Sequence, residues 1–299
     1  MSHRLLRCLF VVSLLPASFS ALDCAAAGVV DAHGDSDQPI QIPIADLDGQ
    51  QWTMQGRICR PQGVANPRLV VVNHGSPPRA ADRPSMALTS CDSEAAQWFL
   101  QRHYAVVFAL RLGYGATGGP WTEGFGGCDA ADYYRSGLET ARQIKTIVDF
   151  VVTGPGIDPH GLIVVGHSAG GWGTLAYDSI AHPNVAAFIN MAGGRGGHFH
   201  DQPNSNCRPE LLVAAAARFG RTAGTPMLWI YAGNDSFFNP DLAKAMYQSF
   251  SHAGGQAELV TPDAFDGDGH RLFFGHDGSD IWGPAVEAYL QRMEPPAGR

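Results

Sequence analysis

The stretch Ile163–Tyr177, IVVGHSAGGWGTLAY, runs from a β-branched segment through a serine flanked by glycines into a helical composition. Gly166-His167-Ser168-Ala169-Gly170 fits the pattern G-x-S-x-G between a strand and a helix, the setting in which it forms a nucleophile elbow. Small flanking residues let the chain reverse sharply while the serine takes a strained backbone conformation. The expectation is a Ser168 hydroxyl lifted above the edge of a sheet. The N-terminus of the following helix then faces the same point, and the Ala169 N–H becomes a candidate donor to a developing oxyanion. Gly, Ser and Ala are common, so the bare pattern fits a tightly packed strand-to-helix turn as well as it fits chemistry.

A serine hydroxyl needs a base, and the base needs an acid to orient it, in the chain order Ser, Asp, His for this topology. Asp235 follows an apolar run in MLWIYAGNDSFF, and His270 lies in DGDGHRLFF between the run AELV and the last helical pattern. Alone, Asp235 reads as a turn residue and His270 as a loop residue. Together with Ser168 they occupy three strand ends in the chain order this topology requires, which favours a catalytic triad. His276 is a rival base further into the loop, while Asp263, Asp266 and Asp268 read as solvated loop charges. A second oxyanion donor is expected in VVNHGSPP: Gly75 lets the backbone turn inward, Ser76 offers its N–H, Pro77 has none, and His74 reads as a brace. His167 and the two elbow glycines complete the support of the site.

Outward from this centre, apolar runs alternate with amphipathic ones. Two strands are expected within Ile40 to Cys59, broken at Asp48-Gly49, then strands at Leu69–Val72, Tyr104–Leu110, Gly161–Gly166, Val185–Met191, Met227–Tyr231 and Ala257–Val260. Helices are expected at Ser93–His103, Asp132–Val152, from Gly170, and at Pro209–Phe219, Pro240–Phe250 and Trp282–Leu290. Continuous apolar strands separated by helices imply an α/β protein with a mostly parallel sheet covered on both faces. Residues 113–130 and 192–208 are long Gly-rich loops at strand ends, where such sheets hold ligands.

With these residues in place the chain resembles the α/β-hydrolase superfamily, and within it a secreted branch related to dienelactone hydrolases. The resemblance spans about Ile40 to Leu290 and rests on NHGSP, GYG at Gly113–Gly115, GHSAGGWG, AGGRGG at Ala192–Gly197, LWIYAGNDSFF, Gly269-His270 and WGPAVEAYL. It implies Ser168 as nucleophile, His270 as base and Asp235 as the residue orienting it. Dienelactone hydrolases proper use a cysteine nucleophile; the serine here favours ordinary esters over the lactone. The implied activity is a carboxylic ester hydrolase needing no cofactor and acting on a small molecule. A peptidase or amidase on the same triad is the second reading, although such enzymes often carry an extra domain for which this chain has no length. A non-catalytic binding protein with the same fold is the third.

The chain has 299 residues, 45% hydrophobic and 16% charged, with 36 glycines and 20 prolines, which suits one globular, loop-rich domain. Its net charge of -8, without a Lys/Arg stripe, argues against nucleic acid. Arg4 and Arg7 before the apolar run Cys8–Leu15 and small residues near Ala21 read as a signal peptide over 1–21, with Ala27 an alternative cleavage site. That run is too short to span a bilayer, and Asp23 disfavours lipidation at Cys24. The remaining boundaries are a flexible N-terminal segment 22–39, the hydrolase domain 40–293 and a tail 294–299, in a secreted or periplasmic protein. Cys59, Cys91, Cys128 and Cys207 then suit one or two disulfides, in any of three pairings. Phe237 and Phe238 are candidate pocket residues, with Trp121, Phe125 and Phe199 as weaker ones, and Arg195 is a candidate partner either for a substrate carboxylate or for an acidic residue nearby. His198 and His200 are too few for a metal site, and DGDG at Asp266–Gly269 lacks the closing acid of a calcium loop.

Overall fold

The computed structural model describes residues 29–30, 36–180 and 182–293. Nine strands form one sheet in the order β1-β2-β3-β5-β4-β6-β7-β8-β9. They are β1 (Val29–Val30), β2 (Ser36–Ala45), β3 (Gln51–Arg60), β4 (Arg68–Asn73), β5 (Ala105–Ala109), β6 (Asp158–His167), β7 (Val185–Met191), β8 (Met227–Ile230) and β9 (Ala257–Val260). Pairing is antiparallel from β1 to β3 and between β3 and β5, and parallel from β5 through β9. The helices are α1 (Glu94–Leu100), α2 (Tyr133–Val151), α3 (Ala169–Asp178), α4 (Pro209–Gly220), α5 (Pro240–His252) and α6 (Gly278–Met293).

The alternation of side chains along each strand divides the interior into two cores. Leu69, Val71, Val107, Leu162, Val164 and Trp229 pack on one face with residues of α2 to α5, including Ile144, Trp172, Leu212 and Phe250. Val70, Val72, Val106, Ile163, Val165 and Leu228 pack on the other with Trp98 and Phe99 of α1 and Trp282 and Val286 of α6. Burial on both faces explains why these strands read as unbroken apolar runs.

Three boundaries differ from the sequence expectation. The segment 22–39, expected to be flexible, contributes β1 and the first four residues of β2. Ser36–Gln38 is polar and has no strand signature of its own. Its order comes from pairing along β3 and from the ion pair of Asp37 with Arg57 at 2.7 Å. The strand expected from Gly161 begins at Asp158. The last helix begins at Gly278, four residues before Trp282, because the Glu94 carboxylate accepts the backbone N–H groups of Asp277 and Ser279, both at 2.7 Å. The proposed signal peptide and the tail 294–299 lie outside the described residues. No helix among the described residues is long and apolar enough to cross a membrane.

Of the three possible pairings the structure has Cys59–Cys91 and Cys128–Cys207. The first ties β3 to the segment before α1. The second joins the two Gly-rich loops, after β5 and after β7. Replacing Cys59 and Cys91 together with serine removes a closure of 32 residues, and the unfolding free energy from urea titration is expected to fall by about 2–4 kcal/mol.

Candidate active site

β4 lies between β5 and β6, so the chain runs from β4 to one side and returns from β5 to the other, and a crevice opens beyond the C-terminal strand ends at this switch point. Five of those ends deliver the site: Ser76 follows β4, Arg111 follows β5, Ser168 follows β6, Arg195 follows β7 and Asp235 follows β8. His270 sits in a one-turn 3-10 helix, Gly269–Arg271, beyond β9.

Ser168 has φ 53° and ψ -119°, a conformation that L side chains rarely adopt. The neighbours enforce it. Its N–H donates to Met191 O at 3.0 Å, and its carbonyl accepts from Trp172 N at 2.9 Å and Gly194 N at 3.1 Å. A Cβ at Gly166 would stand 2.3 Å from Gly170 O, and one at Gly170 would stand 2.4 Å from Asn73 O. The two glycines therefore let β4, the turn and α3 close on one another. Ser168 and Ala169 open onto a cavity of about 270 Å³ also lined by Ser76. The five candidate aromatics, Trp121, Phe125, Phe199, Phe237 and Phe238, all line it, as do Arg83 and Arg195.

Asp235 is buried, and both its oxygens lie at hydrogen-bond distance from His270 Nδ1, at 3.1 and 3.0 Å. Oδ1 also accepts the N–H groups of Phe237 and Phe238, at 2.8 and 2.9 Å, so the backbone turn fixes the carboxylate. Phe237 stacks on the His270 ring at 4.2 Å and carries His198 on it at 3.6 Å. His167, next to Ser168 in the chain, lies 4.8 Å from His270 ring to ring and shares a hydrogen bond with His270 O through Nε2 at 2.7 Å. Ser168 and His270 thus share neighbours, but among the described residues no hydrogen bond joins the hydroxyl to the imidazole.

The rivals separate clearly. His276 has a side chain 92% exposed beside Glu94 and Asp277, away from Asp235. Asp266 is exposed opposite Arg271, and Asp263 is exposed too. Asp268, expected to be a solvated charge, instead ties together the turns that carry Asp235 and His270. It accepts from Ser236 N at 3.0 Å, Ser236 Oγ at 2.7 Å and His270 N at 3.0 Å. Burial, which would raise its pKa, is outweighed by these bonds, and the pKa is lowered.

Arg195 pairs with an acid, Glu123, the second of the two readings the sequence offered for it; that Arg111 shares this acid in a buried ion cluster beside the cavity was not expected. Glu123 is fully buried and accepts hydrogen bonds from Arg111, Arg195 and, at 3.0 Å, Tyr114 OH. Burial works to raise its pKa, but the two guanidinium groups win and hold it at about 2. The available signals were a charge inside the apolar run VVFALRL and one acid in a Gly-rich aromatic loop.

His74 and His167 are held neutral, both with pKa lowered from 6.5 to about 3, first by burial and next by Arg111 and His270 respectively. The unfolded chain therefore binds more protons than the folded one as pH falls through this window. Glu123 acts with the same sign between about 4.5 and 2. Stability is expected to decline below about pH 6.5, by at most about 1.4 kcal/mol per pH unit for each histidine. Urea titrations at pH 7 and pH 5 measure this, and His167→Gln should flatten the dependence.

Neither a known family profile nor a curated protein matches this chain. Solved structures do. A Pyrococcus furiosus esterase superposes with a TM-score of 0.56 at 15% identity, covering 86% of this chain and 93% of its own. A Klebsiella pneumoniae protein assigned to the dienelactone hydrolases gives 0.56 at 18%, covering 86% and 99%. A Pyrococcus horikoshii acylaminoacyl peptidase gives 0.58 at 14%, covering 86% of this chain and 41% of its own. Strand order, elbow and these likenesses agree: this chain has the α/β-hydrolase fold.

Proposed function

We propose that the protein is a serine hydrolase of carboxylic esters, with Ser168 as nucleophile, His270 as general base and Asp235 orienting and charge-stabilising the imidazole. The carrying observation is the strained Ser168 turn opening onto a cavity, beside a histidine whose Nδ1 faces a buried, backbone-fixed carboxylate. In this reading Ser168 Oγ attacks the ester carbonyl while His270 Nε2 takes its proton. The N–H groups of Ala169 and Ser76 receive the oxyanion, the alcohol leaves with the proton from His270, and water releases the acyl group by the same steps. The Ser168–His270 hydrogen bond closes in the substrate complex, as such bonds often do. Two disulfides support residence in an oxidising compartment, the periplasm or outside the cell.

A fluorophosphonate is expected to label Ser168 and to leave Ser168→Ala unmodified, with hydrolysis of p-nitrophenyl esters lost in the same variant. Asp235→Asn, which replaces one acceptor oxygen by an NH2 donor and so favours the imidazole tautomer with Nδ1 unprotonated, is expected to lower kcat by about 10⁴-fold. A folded wild-type protein that is neither labelled nor active would remove this reading in favour of a binding protein. Turnover of p-nitroanilides in preference to the matching esters would replace the ester by an amide.

The cavity wall adds a substrate preference. Arg83 stacks over Trp121 at 3.6 Å, and Arg195 lies 6.0 Å from the same ring. Glu123 balances only one of its two guanidinium partners, and Asp201 is the one acid among the described lining residues. An ester bearing a carboxylate is therefore favoured over a neutral one of equal length. Its KM is expected to be about tenfold lower at low salt, and Arg83→Met should remove most of the difference.

A further inference from the structure

Glu123 is fully buried and ionised, yet it has no step in the chemistry proposed above. Its carboxylate is bonded to Arg111 through Nε and, at 3.4 Å, through Nη2, as well as to Tyr114 and Arg195. Arg111 leads directly to the loop after β4. Its Nη2 donates to His74 O at 2.9 Å, and its backbone N–H donates to His74 Nε2 at 3.1 Å.

The second of these bonds fixes the tautomer. Because Nε2 accepts, the neutral ring carries its proton on Nδ1, and Nδ1–H donates to Gly75 O at 2.6 Å. A trans peptide points its C=O and N–H in opposite directions, and no peptide among the described residues is cis. Anchoring the Gly75 carbonyl on His74 therefore also fixes the direction of the Ser76 N–H. The peptide lies against the nucleophile: a Cβ on Gly75 would stand 2.9 Å from Ser168 Cβ, and Ser76 lines the cavity with Ser168. His74 is itself wedged edge-on against Tyr114 at 4.7 Å, a ring that also bonds Glu123.

We propose that Glu123 is a positioning residue for the oxyanion side of the Ser168 site: it holds Arg111, Arg111 holds His74, and His74 sets the direction of the Ser76 N–H. The proposal rests on the reading of Ser168 as nucleophile and of the Ser76 N–H as an oxyanion donor. Glu123→Gln keeps the shape of the side chain but leaves two guanidinium groups around a neutral amide, and Arg111 loses the charge that locates it. The consequence falls on the tetrahedral intermediate, where the oxyanion forms, and not on binding of a small neutral substrate.

The test uses the mature, oxidised protein with p-nitrophenyl acetate as substrate and an alkyl boronic acid, whose tetrahedral adduct on serine places an oxygen where the oxyanion forms. Glu123→Gln is expected to lower kcat by about 10–100-fold, less than outright loss of an oxyanion donor. KM should stay within about 3-fold, and boronic acid affinity should fall by the same factor as kcat. Glu123→Asp, which keeps the charge, should recover part of both. If Glu123→Gln does not fold, as judged by thermal unfolding, Arg111→Lys keeps the cluster's charge but not the bond to His74 O and should show the same paired loss. A folded Glu123→Gln or Arg111→Lys protein with wild-type kcat and boronic acid affinity overturns the proposal, as does a loss of kcat with boronic acid affinity unchanged. An inactive, unlabelled wild type would instead overturn the nucleophile assignment, so the two failures are distinguishable.

Discussion

The backbone at Ser168, at φ 53° and ψ -119°, costs of order 1–3 kcal/mol for a residue with a side chain, and much of the surrounding architecture holds it there. Three backbone hydrogen bonds clamp the serine between β7, α3 and the loop beginning at Gly193. Hydroxyls and amides from the same region fasten the flanking turns, Thr174 Oγ1 donating to Gly170 O at 2.9 Å and Asn73 Nδ2 to Val165 O at 3.1 Å. These bonds require β4, β6 and β7 in register, which the two apolar cores on either face of the sheet provide. The strain is therefore maintained by the whole sheet, and its effect is to present one hydroxyl to a cavity.

Around that point, polar groups are organised in two sets with different physics. Beside His270, buried Asp235 and half-buried Asp268 are held chiefly by backbone and hydroxyl donors, so their geometry follows from two short turns. On the opposite side, Glu123 is held by charges. A buried carboxylate between two guanidinium groups gains little net stability over a well-packed apolar cluster, because desolvation opposes the attraction. Arg111 Nη1 and Arg195 Nε are even left without partners among the described residues. Its geometric effect is to place its arginines, Arg111 against His74 in the loop after β4 and Arg195 in the cavity wall.

The disulfide Cys128–Cys207 belongs to the same logic. The loops it joins supply Glu123 on one side and Arg195 on the other, and Tyr133 OH donates to Cys207 O beneath them. The second loop contains six non-glycine residues at positive φ, Ala192, His198, His200, Asp201, Asn204 and Arg208. A chain path of that kind needs an external tether, and the covalent link supplies one beside the cavity.

The sequence by itself determined the sheet's parallel strands, the elbow, and an aspartate and a histidine that the fold brings together, because each lies in a local pattern. A strand buried on both faces reads as an apolar run, and a tight strand-to-helix turn needs its glycines in fixed places. Asp235 and His270 were legible for a related reason: topology restricts them to particular strand ends, so two residues far apart in the chain could be paired without coordinates. Only the tertiary structure decided the rest. Polar Ser36–Gln38 is a strand through its neighbour's hydrogen bonds, Asp268 is bonded by Ser236 and only partly exposed, and the pairing of four cysteines follows from which loops meet. Glu123, Arg111 and Arg195 come from separate loops that carry no periodic signal. Their attraction depends on a low-dielectric setting that exists only once the sheet has folded and brought its strand ends together.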